Sequence, residues 1–113
     1  MSILLIDDDA SLRRVTEYHL QQAGYRVLTA GDGREGVRLF QQERPMLVIT
    51  DLQMPGQSGL EVLEQVKAVD AETLVIVITA YGTIEQAVVA MKKGAHDFLT
   101  KPVSRDALLL AVG

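Results

Sequence analysis

The sequence predicts an α/β fold, a doubly wound parallel sheet of five strands in the order 2-1-3-4-5. Three observations lead there. Apolar runs of strand length alternate with stretches of helical period five times along the chain, a pattern that implies parallel pairing with right-handed crossovers. The runs at 3–6, 46–49 and 74–78 are apolar throughout, as strands covered on both faces are. The second and fifth strands are more mixed and suit the sheet edges. With 113 residues, the chain has room for one domain and one core.

Met1-Ser2-Ile3 opens the first strand, and Ile3-Leu4-Leu5-Ile6 ends on Asp7-Asp8-Asp9. A helix follows from about Ser11 to Ala23. It carries Leu12, Val15, Thr16, His19, Leu20 and Ala23 on one face and stops at Gly24. Arg26 to Ala30 is the second strand. Asp32 and Glu35 have capping-box spacing and start a helix that buries Val37 and Phe40 and ends before Pro45. Met46 to Thr50 is the third strand, which runs into Asp51 and a Met54-Pro55-Gly56 turn.

Ser58 and Glu61 form a second capping box, for a helix carrying Leu60, Val62, Leu63, Val66 and Val69. Leu74 to Ile78 is the most apolar strand and ends in Thr79. Thr83 and Gln86 make a third box, for a helix expected to bury Ile84, Ala87, Val88 and Met91. Lys92-Lys93-Gly94 closes it with cations at the negative end. Val89 falls off that stripe, as a stray exposed valine or as part of a docking surface. Asp97 to Thr100 is a short fifth strand. Lys101-Pro102 follows, then a helix from about Ser104 whose shortness suggests a truncated final element.

Composition removes several functions. The formal net charge of -4 argues against direct nucleic-acid binding by this domain, which would need a basic cluster. Zero cysteines exclude a disulfide framework and a thiolate metal site, and suit a reducing cytoplasmic setting. No apolar run reaches the roughly 18–20 residues of a membrane span, so no membrane association is expected.

The strand order reverses between strands one and three, and ligands collect in the crevice outside such a switch point. Asp7, Asp8 and Asp51 would meet there. Like charges about 4 Å apart repel by roughly 4 kcal/mol at an effective dielectric near 20, so the cluster must hold protons or a cation. Oxygen ligands without Cys or His favour Mg²⁺. Thr79 and Lys101, at the ends of strands four and five, would add a hydroxyl and a fixed positive charge for phosphoryl oxygens. Asp9 suits a helix cap. His19 and His96 have no second ligand at metal spacing.

Leu5-Ile6-Asp7-Asp8-Asp9, Thr50-Asp51-Leu52-Gln53-Met54-Pro55-Gly56, Ile78-Thr79-Ala80-Tyr81-Gly82 and Phe98-Leu99-Thr100-Lys101-Pro102 resemble the receiver domain of bacterial two-component response regulators over essentially the whole chain. The resemblance implies a flavodoxin-like (βα)5 fold and a phosphoacceptor, not an ordinary enzyme. Asp51 would take the phosphoryl group from a sensor histidine kinase. Asp8, Asp51 and the backbone carbonyl of Gln53 would hold Mg²⁺ directly, and Asp7 through a water. Thr79 and Lys101 would grip the phosphoryl oxygens, and Phe98 would be the switch aromatic whose rotamer follows Thr79. The Lys101-Pro102 bond would be cis. The responding surface would be helix 4, strand 5 and helix 5.

Ala80 to Val88 and Met91 to Ala95 look like the receivers of NtrC-type transcription activators. That implies a C-terminal AAA+ ATPase and a DNA-binding domain in the full protein, and leaves a homodimer open. Two other readings compete. Asp7-Asp8-Asp9-Ala10-Ser11 resembles the Asp-x-Asp motif of haloacid-dehalogenase-type phosphohydrolases, with Asp7 as nucleophile and Asp9 as acid, but this leaves Asp51 idle and offers only Asp106 beyond the lysine. A flavodoxin-like nucleotide binder would need a glycine-rich loop where this chain is acidic.

Overall fold

In the computed structural model, residues 2–113 are described; Met1, where the sequence opens the first strand, lies outside them. The strands are β1 (Ser2–Ile6), β2 (Arg26–Ala30), β3 (Leu47–Asp51), β4 (Leu74–Thr79) and β5 (Asp97–Thr100). They alternate with helices α1 (Ala10–Gln22), α2 (Gly33–Glu43), α3 (Gly59–Val69), α4 (Ile84–Lys92) and α5 (Arg105–Val112). All pairings are parallel and the order is β2-β1-β3-β4-β5. The expected topology is borne out, with β2 and β5 at the edges.

Strand side chains alternate between faces, and here both faces are covered. Leu4, Ile6, Val48, Val75 and Val77 join Val37 and Phe40 of α2, Val62, Leu63 and Val66 of α3, and Ala90 of α4. On the opposite face Ile3, Leu5, Leu47, Ile49, Ile76 and Ile78 join Leu20 of α1 with Leu108 and Val112 of α5. Each fully buried aliphatic or aromatic side chain contributes about 1.5–3 kcal/mol. The central strands are apolar throughout because they serve two cores at once.

The helix starts are capped as the sequence implies, with one refinement. Asp9, Asp32, Ser58, Thr83 and Ser104 each accept from a first-turn amide. Only Thr83–Gln86 closes a reciprocal box. At Asp32 and Ser58 the cap accepts from Glu35 and Glu61, but neither glutamate side chain returns the bond. Those acids still complement the positive ends of their helices.

Two expectations change. Strand β3 begins at Leu47, and Met46 and Leu74, the first residues of two runs expected to be covered on both faces, are exposed. Helix α4 sits about a quarter-turn away from the expected orientation: Ala90 is its one buried residue, while Ile84 is 85% exposed and Val88 and Met91 are exposed too. The reason is the sheet edge. β5 is four residues long and among the described residues no strand lies beyond it, so a bulky stripe has little sheet to insert against. The smaller Ala87 and Ala90 let the helix settle where Phe98 packs against the same core. Val89, expected off the stripe, is exposed along with the stripe itself.

Candidate functional site

Register builds the site. Ile6 pairs with Thr50, so the next residues, Asp7 and Asp51, are neighbours where β1 and β3 end. Thr79 pairs with Thr100, which places Lys101 one step beyond the edge of β5, its amide donating to the Thr79 carbonyl at 2.8 Å. Four strand ends thereby converge on one crevice.

Asp7 and Asp51 are buried and Asp8 is exposed, and one oxygen from each lies within 4.8 Å of the others. Opposite ligands on an octahedral Mg²⁺ stand about 4 Å apart, so the trio is near the size such an ion needs. The donors are hard oxygens throughout. The expectation that three carboxylates gather is borne out, and the cluster can hold a divalent cation. No other group of three ligand-bearing residues occurs among the described residues, and neither His19 nor His96 belongs to one.

Lys101 closes the crevice. Its Nζ donates to Asp51 Oδ2 at 3.0 Å and to Asp7 Oδ2 at 3.1 Å. Against three carboxylates this one ammonium leaves two negative charges in excess, which a divalent ion neutralises. Burial would lower the Lys101 pKa, but hydrogen bonds and charge from Asp51 and Asp7 outweigh it and the net shift is upward. For Asp51 burial wins: desolvation and the Asp7 charge push its carboxyl above the usual range despite Lys101 and the Gln53 amide.

The Asp51 backbone is pinned on every side. Its side-chain Oδ1 accepts from the Gln53 amide at 3.3 Å and its carbonyl from the Thr50 hydroxyl at 3.0 Å. The Leu52 amide donates to Ile78, and the Gly59 amide donates to Leu52. Gly59 opens α3 directly against this strand end, and a Cβ there would collide with the Asp51 carbonyl oxygen and Leu52 Cα. Glycine is required for that close approach.

Thr79 is fully buried, and its Oγ1 accepts from the Tyr81 amide at 3.2 Å. Among the described residues no hydrogen bond joins it to Asp51. Gly82 lies over Phe98, and a Cβ at Gly82 would stand 2.9 Å from both Phe98 Cε1 and Thr79 Cγ2. The Thr79 methyl and the half-buried Phe98 ring thus both close against Gly82. Lys101-Pro102 is cis.

Asp9 takes the capping role, its Oδ1 accepting from Ser11 and Leu12 amides at 3.0 and 3.1 Å. Asp9 thus has a structural role in capping α1, which weighs against the Asp-x-Asp phosphohydrolase reading.

Sequence reasoning missed two features. Arg13 Nη1 donates to the Asp7 carbonyl at 2.7 Å; the signal was a cation four residues beyond the helix cap, close to three acids. The second is an apolar groove of about 370 Å³ between α1 and the start of α5, lined by Leu12, Val15, His19, Pro102, Val103 and Leu108 and reaching Asp51 and Lys101. The α1 face read from the sequence therefore borders an opening, and Val15 is 51% exposed.

Comparison with known proteins agrees with this geometry. The response regulator receiver domain family matches residues 3–113. The transcriptional regulatory protein GlrR of Escherichia coli (strain K12) is 41% identical over 110 residues, covering 97% of this chain and 25% of the relative. The chain therefore spans about a quarter of the length of that curated relative. A response regulator receiver domain protein from Clostridium thermocellum superimposes with a TM-score of 0.94 at 36% identity, over 98% of this chain and 90% of that one. A response regulator from Burkholderia pseudomallei, solved with a phosphorylated aspartic acid, a calcium ion and citrate, gives 0.92 at 28% identity, over 99% and 66%. Such domains are not ordinary enzymes, and this one is similar to those of NtrC-type regulators. The chain belongs to the response regulator receiver domain family of two-component systems.

Proposed function

We propose that this domain accepts a phosphoryl group from a histidine kinase onto Asp51 and converts its presence into a change at the α4–β5–α5 surface. The observation that carries this reading is Lys101 shared between Asp7 and Asp51, with Asp8 within reach of the same point. Asp8, Asp51 and the Gln53 backbone carbonyl would hold Mg²⁺ directly, and Asp7 would do so through a water. Bound there, the ion supplies positive charge that lets an anionic carboxylate approach an anionic phosphoryl group.

In the transfer, an Asp51 carboxylate oxygen attacks phosphorus. The new O–P bond forms as the N–P bond of the phosphohistidine breaks, and imidazole leaves with the bonding electron pair. Lys101 turns its ammonium to the phosphoryl oxygens, and pinning of the β3 end keeps the nucleophile in line. In dephosphorylation, water attacks phosphorus, the Asp51 O–P bond breaks with its electron pair returning to the carboxylate, and inorganic phosphate leaves carrying the oxygen and proton from water. This self-phosphorylation and slow autodephosphorylation are the domain's only chemistry.

The phosphoryl oxygens then accept from the Thr79 hydroxyl, whose Oγ1 now accepts from the Tyr81 amide, and draw it away from that amide. Thr79 moves toward Asp51 and vacates space beside Gly82, and the Phe98 ring follows inward. Moving the surface from 1:99 to 99:1 takes about 5.5 kcal/mol. Two or three hydrogen bonds to charged groups, at about 1.5–3 kcal/mol each, supply it. The output is transcription activation through C-terminal AAA+ and DNA-binding domains of a longer cytoplasmic protein, with homodimerisation as one use of the altered surface.

The test is labelling by acetyl phosphate. The wild-type domain is expected to incorporate phosphate only with Mg²⁺, and Asp51→Asn to incorporate none while keeping its circular dichroism. Equal labelling of the mutant, or none of the wild type, contradicts the proposal.

A further inference from the structure

Asp7 is held at four of its polar atoms. Its amide donates to the Ala30 carbonyl at 3.1 Å, and its carbonyl accepts from Arg13 Nη1 at 2.7 Å. Of its carboxylate oxygens, Oδ1 accepts from the Asp9 amide at 2.9 Å and Oδ2 from Lys101 at 3.1 Å. Among the described residues, Arg13 is the one side chain from outside this loop that bonds to its backbone. It reaches back six residues from the first turns of α1, and its guanidinium passes beside the β2–α2 connection, where a Cβ at Gly31 would lie 3.5 Å from Nη1.

A guanidinium beside three carboxylates would ordinarily pair with one of them. Arg13 forms no ion pair within 4.0 Å among the described residues, and donates instead to a neutral carbonyl. That choice matters for the acids. A bidentate Arg–carboxylate pair would occupy the oxygens a cation needs, whereas a bond to the carbonyl leaves the Asp7 carboxylate, held by the Asp9 amide and Lys101, with an oxygen within 4.8 Å of those of Asp8 and Asp51. It also ties the end of β1 to α1 beside the β2–α2 connection.

We infer that Arg13 is a positioning residue of this site, fixing the β1–α1 loop through the Asp7 carbonyl and so setting where Asp7 and Asp8 present their carboxylates to a divalent cation. The inference rests on the proposed phosphoacceptor reading. It differs in sign from a charge effect. A nearby cation acting by charge alone opposes Mg²⁺, so its removal would tighten binding. A positioning residue does the reverse: loss of outer hydrogen-bond partners typically weakens metal binding by about 10–100-fold.

The experiment is Mg²⁺ titration by calorimetry of the wild-type domain, Arg13→Met and Arg13→Ala, none exposed to phosphodonor. Arg13→Met keeps the apolar stem over α1 and removes donor and charge, so it retains the fold if the alanine variant does not. Mg²⁺ affinity is expected to fall about tenfold in Arg13→Met, with Arg13→Lys recovering part of the loss. In metal-free buffer, amide exchange at Asp9 is expected to rise in Arg13→Met while exchange at buried Leu108 stays unchanged. Equal or tighter Mg²⁺ binding by Arg13→Met overturns the role of Arg13 alone. Absence of Mg²⁺ binding by the wild type overturns the phosphoacceptor reading beneath it.

Discussion

Helices α2 and α3 cover the same face of the sheet as α4, yet the three are seated very differently. The first two insert Val37, Phe40, Val62, Leu63 and Val66, all buried, and α3 starts with a glycine pressed against the acceptor strand. Helix α4 inserts Ala90 and leaves Ile84, Val88, Val89 and Met91 exposed. Its one ion pair to α3, Lys93 with Glu64, is partly exposed and contributes little. Elements with few buried apolar groups open at low free energy. One flank therefore holds the acids in place, and the other is cheap to move. A switch needs both: a nucleophile whose position does not drift, and a surface that a few hydrogen bonds can re-seat.

The largest expected effect lies on the rigid flank. Phe40→Ala should cost roughly 3–5 kcal/mol in urea unfolding, because a fully buried ring leaves a cavity between α2 and the sheet. If it costs under 1 kcal/mol, the two flanks do not differ as described. Gly59→Ala is next, at about 1–3 kcal/mol from overpacking, and should also slow phosphoryl labelling by displacing Asp51.

Asp51→Asn should act in the opposite direction in metal-free buffer. Burial raises the folded-state pKa of Asp51 above 3.8, so ionising it costs the folded state. The penalty is absent below about pH 3.8, where the group is protonated in both states. It grows as the pH rises toward the folded-state pKa and is complete above it. At neutral pH the mutant should therefore melt at a higher temperature than the wild type in thermal denaturation. A lower melting temperature would mean that the Lys101 pair outweighs the burial. The smallest effect belongs to the mobile flank: Ile84→Ala should change stability by no more than about 0.5 kcal/mol.

The acids were legible because their position follows from period and order alone. Strand ends are marked by where apolar runs stop, and a reversal of strand order puts those stops side by side. Lys101 and Thr79 were legible for the same reason. The orientation of α4 was not, because alanine and valine weigh similarly in a helical pattern. What decided it was the short edge strand beneath, a tertiary fact. Arg13 escaped because a cation within the first two turns of a helix is ordinarily solvated. Its bond to the Asp7 carbonyl depends on how the loop folds back, which no spacing encodes.

The comparison between flanks is tested most directly by amide hydrogen exchange with and without Mg²⁺ and beryllofluoride, a mimic of the phosphoryl group. Exchange is expected to change in α4, β5 and the loop bearing Tyr81 and Gly82, while α2 and α3 keep the same protection. Changes spread evenly over all five helices, or concentrated in α2 and α3, would contradict a rigid acceptor flank coupled to one movable helix.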